Sequence, residues 1–238
     1  MKLFLPKQHG AWAMLIIPFW LSAAAAGIQW EHIPFFFGWL LLYLATYPML
    51  LLFKKKKVKF YIKWTLIYLV PALILLAIPL WARPSLVIFG LLMIPLFFVN
   101  IYFSGKNQDR ALLNDFSAIF VFAIAGLASG YLSAGMISED LVLIFVASVL
   151  FFAGSTFYVK TMIREKKSRL YKRISWTYHA LVPIIWLVPG QWLIAFAFLP
   201  SLLRAFAFYG KPYSIKKVGI LEIANAAIFF IVMLIAII

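Results

Sequence analysis

The basic residues of this chain are confined to one set of segments. Of its 22 Lys and Arg residues, 21 fall in the N-terminal tail or in every second segment between hydrophobic stretches, and the exception is Arg83. A chain that crosses a bilayer repeatedly retains Lys and Arg on the cytoplasmic side, so this alternation reports both the crossings and the orientation. The pattern predicts a multi-pass protein of the cell membrane, with a cytoplasmic N-terminus and the C-terminus outside.

Composition restricts the alternatives. Hydrophobic residues make up 66% of the 238 residues and charged residues only 12%, which is too little polar surface to cover a water-soluble globule. The formal net charge of +15 would suit nucleic-acid binding. The basic clusters lie in short loops, however, where topology and anionic headgroups account for them, and we expect no nucleic-acid partner. Cysteine is absent, which excludes disulfides and thiolate chemistry.

Nine membrane-spanning helices are predicted, because roughly 20 apolar residues cross a hydrocarbon core about 30 Å thick. They lie near 11–29, 34–53, 63–81, 85–103, 116–134, 141–159, 174–189, 191–208 and 219–238. Only Pro189-Gly190-Gln191 separates the seventh and eighth, and the alternative is one long kinked segment. Small-residue runs in 22–27, 123–130 and 224–227 predict that the first, fifth and ninth helices pack inside the bundle. The expected fold is an all-α helical bundle forming a single integral membrane domain, 1–238.

Polar residues recur at the predicted cytoplasmic ends of the helices. At the first helix, Lys7 and His9 either anchor the chain at the interface or supply a cation and a titratable imidazole to a site. Before the fifth helix, Asn114 or Asp115 either caps the helix, where a carboxylate also suits the dipole, or belongs to a site. Asn100 lies inside a hydrophobic stretch, where its amide needs a partner. With Tyr102, Ser104 and Arg110 it could line a polar mouth.

The segment after the sixth stretch is the most basic part of the chain. If the sixth helix continues, Thr156, Lys160, Arg164 and Lys167 share one face at spacings of four, four and three. Like charges at these spacings repel, so we expect an anionic group across them. Lipid headgroup phosphate is one candidate, and a phosphorylated substrate held by Arg in bidentate geometry is the other.

Later stretches add a further polar group. Tyr178 and His179 lie in the seventh stretch, while Glu222 and Asn225 are three residues apart in the ninth and share a helix face. An ionisable residue inside a span is a functional candidate by default. The structural alternative for Glu222 is an ion pair with Arg204 or Lys216.

Two resemblances extend these patterns. The run Lys7-Gln8-His9-Gly10-Ala11-Trp12-Ala13 resembles the opening of the YwiC-like family of membrane proteins, supported by 107–115 and 157–165. More distantly, the layout is similar to the UbiA superfamily of intramembrane prenyltransferases, which have nine helices and chemistry on the loops after the second and sixth. The segment 102–126 is similar in character to the polar loop and Gly-containing fifth helix of that superfamily. This resemblance implies Mg²⁺ held by two Asp-rich motifs and a polyprenyl diphosphate substrate.

Both Asp-rich motifs are absent from this chain. The loop after the second stretch carries Lys54 to Lys57 and no carboxylate, and the loop after the sixth contains only Glu165. Hard cations require several oxygen ligands. We therefore expect neither a metal site nor a cofactor.

The favoured hypothesis is a UbiA-like membrane protein that binds a phosphorylated or isoprenoid lipid at a basic cavity on the cytoplasmic side. If it is an enzyme, it is expected to be a transferase acting on a prenyl or lipid phosphate substrate, with His9, His179 or Asp115 as catalytic acid or base. The alternative is a non-catalytic transporter or scaffold for lipids or small molecules, and the expected partners are membrane lipids, including a phosphorylated isoprenoid. The candidate substrate-binding residues are Lys7, Asn100, Tyr102, Lys106, Arg110, Asn114, Tyr158, Lys160, Arg164, Glu222 and Asn225.

Overall fold

The fold is helical throughout the part of the chain that is described. The computed structural model describes residues 3–6, 10–54 and 57–238, and every regular element within them is a helix. Lipid offers no hydrogen-bond partners to the backbone, so long apolar stretches adopt the form that satisfies each N–H and C=O internally. The predicted all-α class is confirmed.

The described residues form ten α-helices. These are α1 (Gly10–Ala26), α2 (His32–Leu52), α3 (Val58–Ala82), α4 (Val87–Gly105), α5 (Leu112–Ala134), α6 (Glu139–Ile163), α7 (Arg169–Leu187), α8 (Trp192–Ala197), α9 (Leu199–Ala207) and α10 (Ile215–Ile237). A short 3-10 turn, Pro84–Leu86, leads directly into α4. Because only Phe198 separates α8 from α9, the two form one broken segment. The helices therefore match the nine predicted stretches, with ends displaced by a few residues.

Six of these segments are long and apolar enough to cross a bilayer, which makes the chain a membrane protein. They are α2, α3, α4 with its preceding turn, α5, α6 and α10. Helix α1 has only 17 residues, and α8 and α9 are shorter still. The first turns of α7 carry Arg169, Lys172 and Arg173, which lower its hydropathy. Crossing of the bilayer by α1, by α7 and by the combined α8–α9 segment stays a prediction.

The described helices divide into two compact units, which are treated separately below. Unit 1 contains Pro18–Phe145 with the described residues of the N-terminal tail, and unit 2 contains Gly10–Ile17 and Val146–Ile238. Helices α1 and α6 therefore each contribute to both units. The single integral domain stays a prediction.

In unit 1, small residues allow helices to approach closely. Phe19 is completely buried against the rings of His32 and Phe35. A Cβ added at Gly126 would lie 2.8 Å from Pro18, and one added at Gly130 would overlap Leu141. The predicted internal position of the first and fifth helices is confirmed by these contacts. The prediction for the ninth is wrong, because the alanines at 224 and 227 in α10 are exposed and only its other face packs against protein.

Arg83, the exception to the charge pattern, closes the C-terminal end of α5 in unit 1. Gly135 ends this helix with φ of 72°, and its N–H donates to the carbonyl of Tyr131 at 2.9 Å. The Nε of Arg83 donates to the carbonyl of Leu132 at 2.9 Å. A cation hydrogen-bonded to the last carbonyls of a helix is favourable with respect to the helix dipole. Arg83 thus stabilises a helix end.

Unit 2 has a layered core in which polar residues separate two apolar clusters. Phe151 stacks on Phe229 at a centroid distance of 4.0 Å, and Phe198 packs edge-on to Phe229. At the other end, Tyr158 and Met162 form a buried cluster with residues of α9 and α10. Between these clusters, α6, α9 and α10 each carry polar side chains at intermediate positions along the helix. This polar layer forms the centre of the candidate site.

Candidate functional site

A buried ion pair joins α9 to α10 in unit 2. Arg204 and Glu222 form a salt bridge through Nη1 and Oε1, with side-chain exposures of 5% and 16%. The second guanidinium nitrogen, Nη2, donates to Ser155 Oγ of α6 at 3.1 Å. The guanidinium also lies over the ring of Tyr158, 4.5 Å from its centroid. A charge inside a membrane helix requires such partners, and the structural alternative for Glu222 is confirmed.

A second polar contact lies one helical turn from the ion pair. Asn225 Nδ2 donates to Ser201 Oγ at 3.0 Å. Ser201 precedes Arg204 by three residues in α9, and Asn225 follows Glu222 by three in α10. Residues three apart share a helix face, so the two helices contact each other through two successive polar pairs. We call these four residues the polar ladder.

His179 of α7 faces the same unit and is 4% exposed. Its Nδ1 lies 2.7 Å from the carbonyl oxygen of Ser175. Beside its ring lies a cavity of about 10 Å³, which is close to the lower limit for holding one water molecule. The residues that line it are Leu150, Phe151, Gly154, Tyr178, His179, Val182, Phe198 and Ser201. His179, Glu222 and Asn225, three of the predicted site residues, are therefore all buried or half-buried in the interior of unit 2.

The predicted basic face at the end of α6 is wrong. The helix ends at Ile163, where the N–H groups of Arg164 and Glu165 both donate to the carbonyl of Lys160, at 3.0 and 2.7 Å. The chain then turns, because Ser168 caps the start of α7 by accepting from the Tyr171 N–H at 3.3 Å. Lys160 is 9% exposed, whereas Arg164 is exposed. The two side chains therefore do not form one phosphate-binding face.

In unit 1, Asn100 of α4 finds the partner that its burial requires. Its Nδ2 donates to Asn114 Oδ1 at 2.9 Å and to Ser117 Oγ at 2.5 Å. Asn114 in turn donates to the carbonyl of Asp109 at 2.8 Å, whose carboxylate pairs with Lys54 at 2.8 Å. The expectation that Asn100 needs a partner is confirmed. These contacts join α4 to α5 and account for Asn100 and Asn114 structurally.

The other predicted residues of unit 1 lie at its surface or at a helix start. Tyr102 and Lys106 are exposed and hydrogen-bonded to each other at 2.5 Å, and Arg110 is also exposed. The capping interpretation of Asn114 and Asp115 is wrong, because the N-cap of α5 is Ala111, which makes no side-chain capping hydrogen bond. Asp115 does lie in the first turn, where its charge suits the helix dipole.

Lys7 and His9 lie outside the described residues, so their predicted contributions stay predictions. Among the residues that are described, no group of three or more His, Asp and Glu side chains could hold a metal ion. The loops after α2 and α6 lack Asp-rich motifs, since 53–57 contains no acid and 164–168 contains only Glu165. The donor set of this chain does not fit the magnesium site that the UbiA resemblance implies.

Several residues of the site are absent from the sequence-based set. Ser155, Gly154, Ser175 and Ser201 all contact the polar ladder, His179 or the cavity. Ser201 could have been identified from the sequence, because it lies three residues before Arg204 and so shares its helix face. Arg204, which the charge pattern groups with the cytoplasmic segments and which the predicted span 191–208 places near its end, is buried in the last turn of α9.

Comparison with known proteins gives the family. The family model described as YwiC-like protein matches residues 5–130. The uncharacterized protein YwiC of Bacillus subtilis (strain 168) is 46% identical over 233 residues, covering 98% of each chain. An uncharacterized protein of Haemophilus influenzae (strain ATCC 51907 / DSM 11121 / KW20 / Rd) is 40% identical over 236 residues, covering 99% of each chain. No solved structure matches this chain. The agreement over more than half of the chain means that this membrane protein belongs to the YwiC-like family.

Proposed function

We propose that this protein binds a phosphate-bearing lipid at the basic end of unit 2, with that end in the cytoplasmic leaflet of the cell membrane. The observation that carries the proposal is a set of lysines held over aromatic rings where α7, α9 and α10 meet their loops. Lys172 Nζ lies 4.3 Å from the Trp176 ring centroid and 4.9 Å from that of Tyr209. Lys217 Nζ lies 3.9 Å from the Tyr213 ring centroid, and Lys211 Nζ lies 5.2 Å from that of Phe208.

Aromatic rings prefer the headgroup region of a bilayer. Lysines packed on such rings present their ammonium groups at the depth of lipid phosphates. The local charge supports an anionic partner, since 160–173 contains seven Lys and Arg residues and one carboxylate. Each Lys or Arg near an anionic surface contributes about 1 kcal/mol of attraction. The lipid site is therefore a surface of cations and rings, distinct from the buried Lys160.

We propose the UbiA-like layout for the arrangement of the helices in the membrane. In the proposal all nine helical segments cross the bilayer, with the N-terminus in the cytoplasm and the C-terminus outside. The 17 residues of α1 would span about 26 Å at 1.5 Å per residue, which suffices if the bilayer thins locally. A phosphorylated isoprenoid is the lipid that this layout favours, and any transferase activity would act on its phosphate or prenyl group.

Lipid binding can be tested with the purified protein in phosphatidylcholine nanodiscs. The probes are geranylgeranyl monophosphate, geranylgeraniol and dioleoylphosphatidate, and the readout is the dissociation constant by native mass spectrometry. Lys172→Gln, Lys211→Gln and Lys217→Gln together should weaken binding of the isoprenyl phosphate roughly 100-fold, since three lysines contribute about 3 kcal/mol.

The matched control changes Lys57, Lys59 and Lys63 of unit 1 to Gln, which removes the same charge and should leave the affinity within about threefold. Equal affinity for geranylgeraniol and its phosphate would contradict the proposal, as would equal losses in the two triple variants. Equal affinity for phosphatidate would retain the phosphate site and refute selectivity for isoprenoids.

Transport is a second candidate function, favoured by the ionisable and polar side chains inside unit 2. Arg204, Glu222 and His179 lie within helices of this unit, and buried ionisable residues in membrane proteins often mark a transport pathway. The chain contains no cysteine, so single cysteines at Ser155 and Ser201 can be probed directly with small impermeant thiol reagents. Reaction from both sides of the membrane supports transport, whereas protection from both sides refutes it.

A further inference from the structure

The two imidazole nitrogens of His179 differ in their hydrogen bonding. The Nδ1 of this residue lies 2.7 Å from the Ser175 carbonyl oxygen, and a carbonyl can only accept, so Nδ1 carries a hydrogen. Nε2 is buried and has no hydrogen-bond partner among the described residues. A polar atom in a membrane protein interior that lacks a partner is unfavourable. Nε2 therefore requires a partner that is not part of the described chain.

The cavity beside the imidazole has the right size for a single small partner. Its volume is about 10 Å³, close to the lower limit for one water molecule. Gly154 of α6 creates this space, because a Cβ at that position would lie 3.2 Å from His179 Nε2 and 3.2 Å from Tyr178 Cε1. Gly154 thus faces Nε2, and both residues line the cavity.

A second polar group lines the same cavity. Ser201 accepts a hydrogen bond from Asn225 Nδ2 at 3.0 Å, so its own hydroxyl hydrogen can point either to Asn225 Oδ1, at 3.3 Å, or into the cavity. Cavities with only apolar walls stay dry, whereas two polar groups on the wall of this cavity favour a bound water.

We propose that one water molecule occupies this cavity and bridges His179 Nε2 to Ser201 Oγ, which connects α7 to the polar ladder of α9 and α10. Water suits this position in either protonation state of the imidazole, since it donates to a neutral Nε2 and accepts from a protonated one. The bridge does not involve the lysines of the lipid surface, so it stands independently of the proposed function. It makes His179 part of a hydrogen-bond chain in the interior of unit 2.

The test uses the full-length protein in phosphatidylcholine nanodiscs, labelled with ¹⁵N only at histidine. Water-edited solid-state NMR measures magnetisation transfer from water to each imidazole nitrogen, and His179→Gln assigns the signals of His179. The wild type should show transfer to Nε2 of His179. Gly154→Ala should abolish it by filling the cavity, and Ser201→Ala should reduce it at least twofold by removing the second hydrogen-bonding group.

Gly219→Ala is the matched control, because a Cβ at Gly219 of α10 meets no atom within 4 Å, and this variant should retain the wild-type transfer. A wild-type protein with no transfer to His179 Nε2 would overturn the proposal whether or not the Gly154 variant folds. A folded Gly154→Ala protein with full transfer would also overturn it, because the water would then lie elsewhere.

Discussion

The Arg204–Glu222 ion pair offers the sharpest test of how unit 2 is stabilised. Replacing Glu222 by Leu removes the carboxylate and leaves a guanidinium that is 5% exposed and in contact with Ser155 Oγ and the Tyr158 ring. Breaking a buried pair in this way costs about 3–5 kcal/mol of unfolding free energy. Glu222→Gln keeps an acceptor oxygen near the guanidinium, so its cost should fall to about 1–3 kcal/mol.

The double variant Arg204→Met with Glu222→Leu distinguishes the energy of the ion pair from the effect of leaving either charge unpaired. With both charges removed, no buried ion is left uncompensated, and the unfolding free energy should return to within about 1 kcal/mol of the wild type. The double-mutant cycle would then show strong coupling between the two positions.

The assay is reversible unfolding in dodecylmaltoside micelles with increasing dodecyl sulfate, followed by tryptophan fluorescence. Glu139→Gln is the control, because Glu139 is an exposed carboxylate in the first turn of α6, and losing its interaction with the helix dipole should change the unfolding free energy by less than about 1 kcal/mol. A cost below about 1 kcal/mol for Glu222→Leu would refute the reasoning, as would a double variant whose cost equals the sum of the single ones.

Three further predictions follow from the geometry. Gly135→Ala should cost at least about 1 kcal/mol in the same assay, because φ is 72° and the added Cβ would overlap a guanidinium. Asn100→Leu should cost about 1–3 kcal/mol by leaving its partners in α5 unsatisfied, and a change below 0.5 kcal/mol would contradict its structural assignment. Single cysteines at Met136 and Lys211 should react with an impermeant maleimide from opposite sides of the membrane. Labelling from one side would overturn the proposed topology.

Hydropathy predicted the helices well, because helix formation in lipid depends mainly on the length of an apolar stretch. The pairing of Glu222 with Arg204 was among the alternatives, since a buried carboxylate restricts its partners to a few cations. Asn100 was expected to need a partner for the same reason. In each case a strong local requirement, set by a polar atom in an apolar surrounding, could be recognised from the residue and its position.

The errors arose where several arrangements satisfy the same requirement. The end of α6 depends on two N–H groups that share the Lys160 carbonyl and on the Ser168 cap of α7. Continuation of the helix would have satisfied the backbone equally well, although Ser168 is a residue type preferred at N-caps. Gly154 and Ser201 are small residues in apolar helices, and only the packing of α6 against α7 and α9 shows that they border His179.

The structure also changes what the charge pattern means. Arg83 donates to the Leu132 carbonyl near the end of α5, and Arg204 is buried in an ion pair, so each has a local structural reason for its position. A residue retained for such a reason carries little information about orientation, because its location follows from packing. The other twenty of the 22 Lys and Arg residues lie in the tail or near the ends of helices that adjoin alternate loops. With Arg83 explained by a helix end, the one exception to the pattern ceases to count against it, and the case for a cytoplasmic basic face becomes stronger.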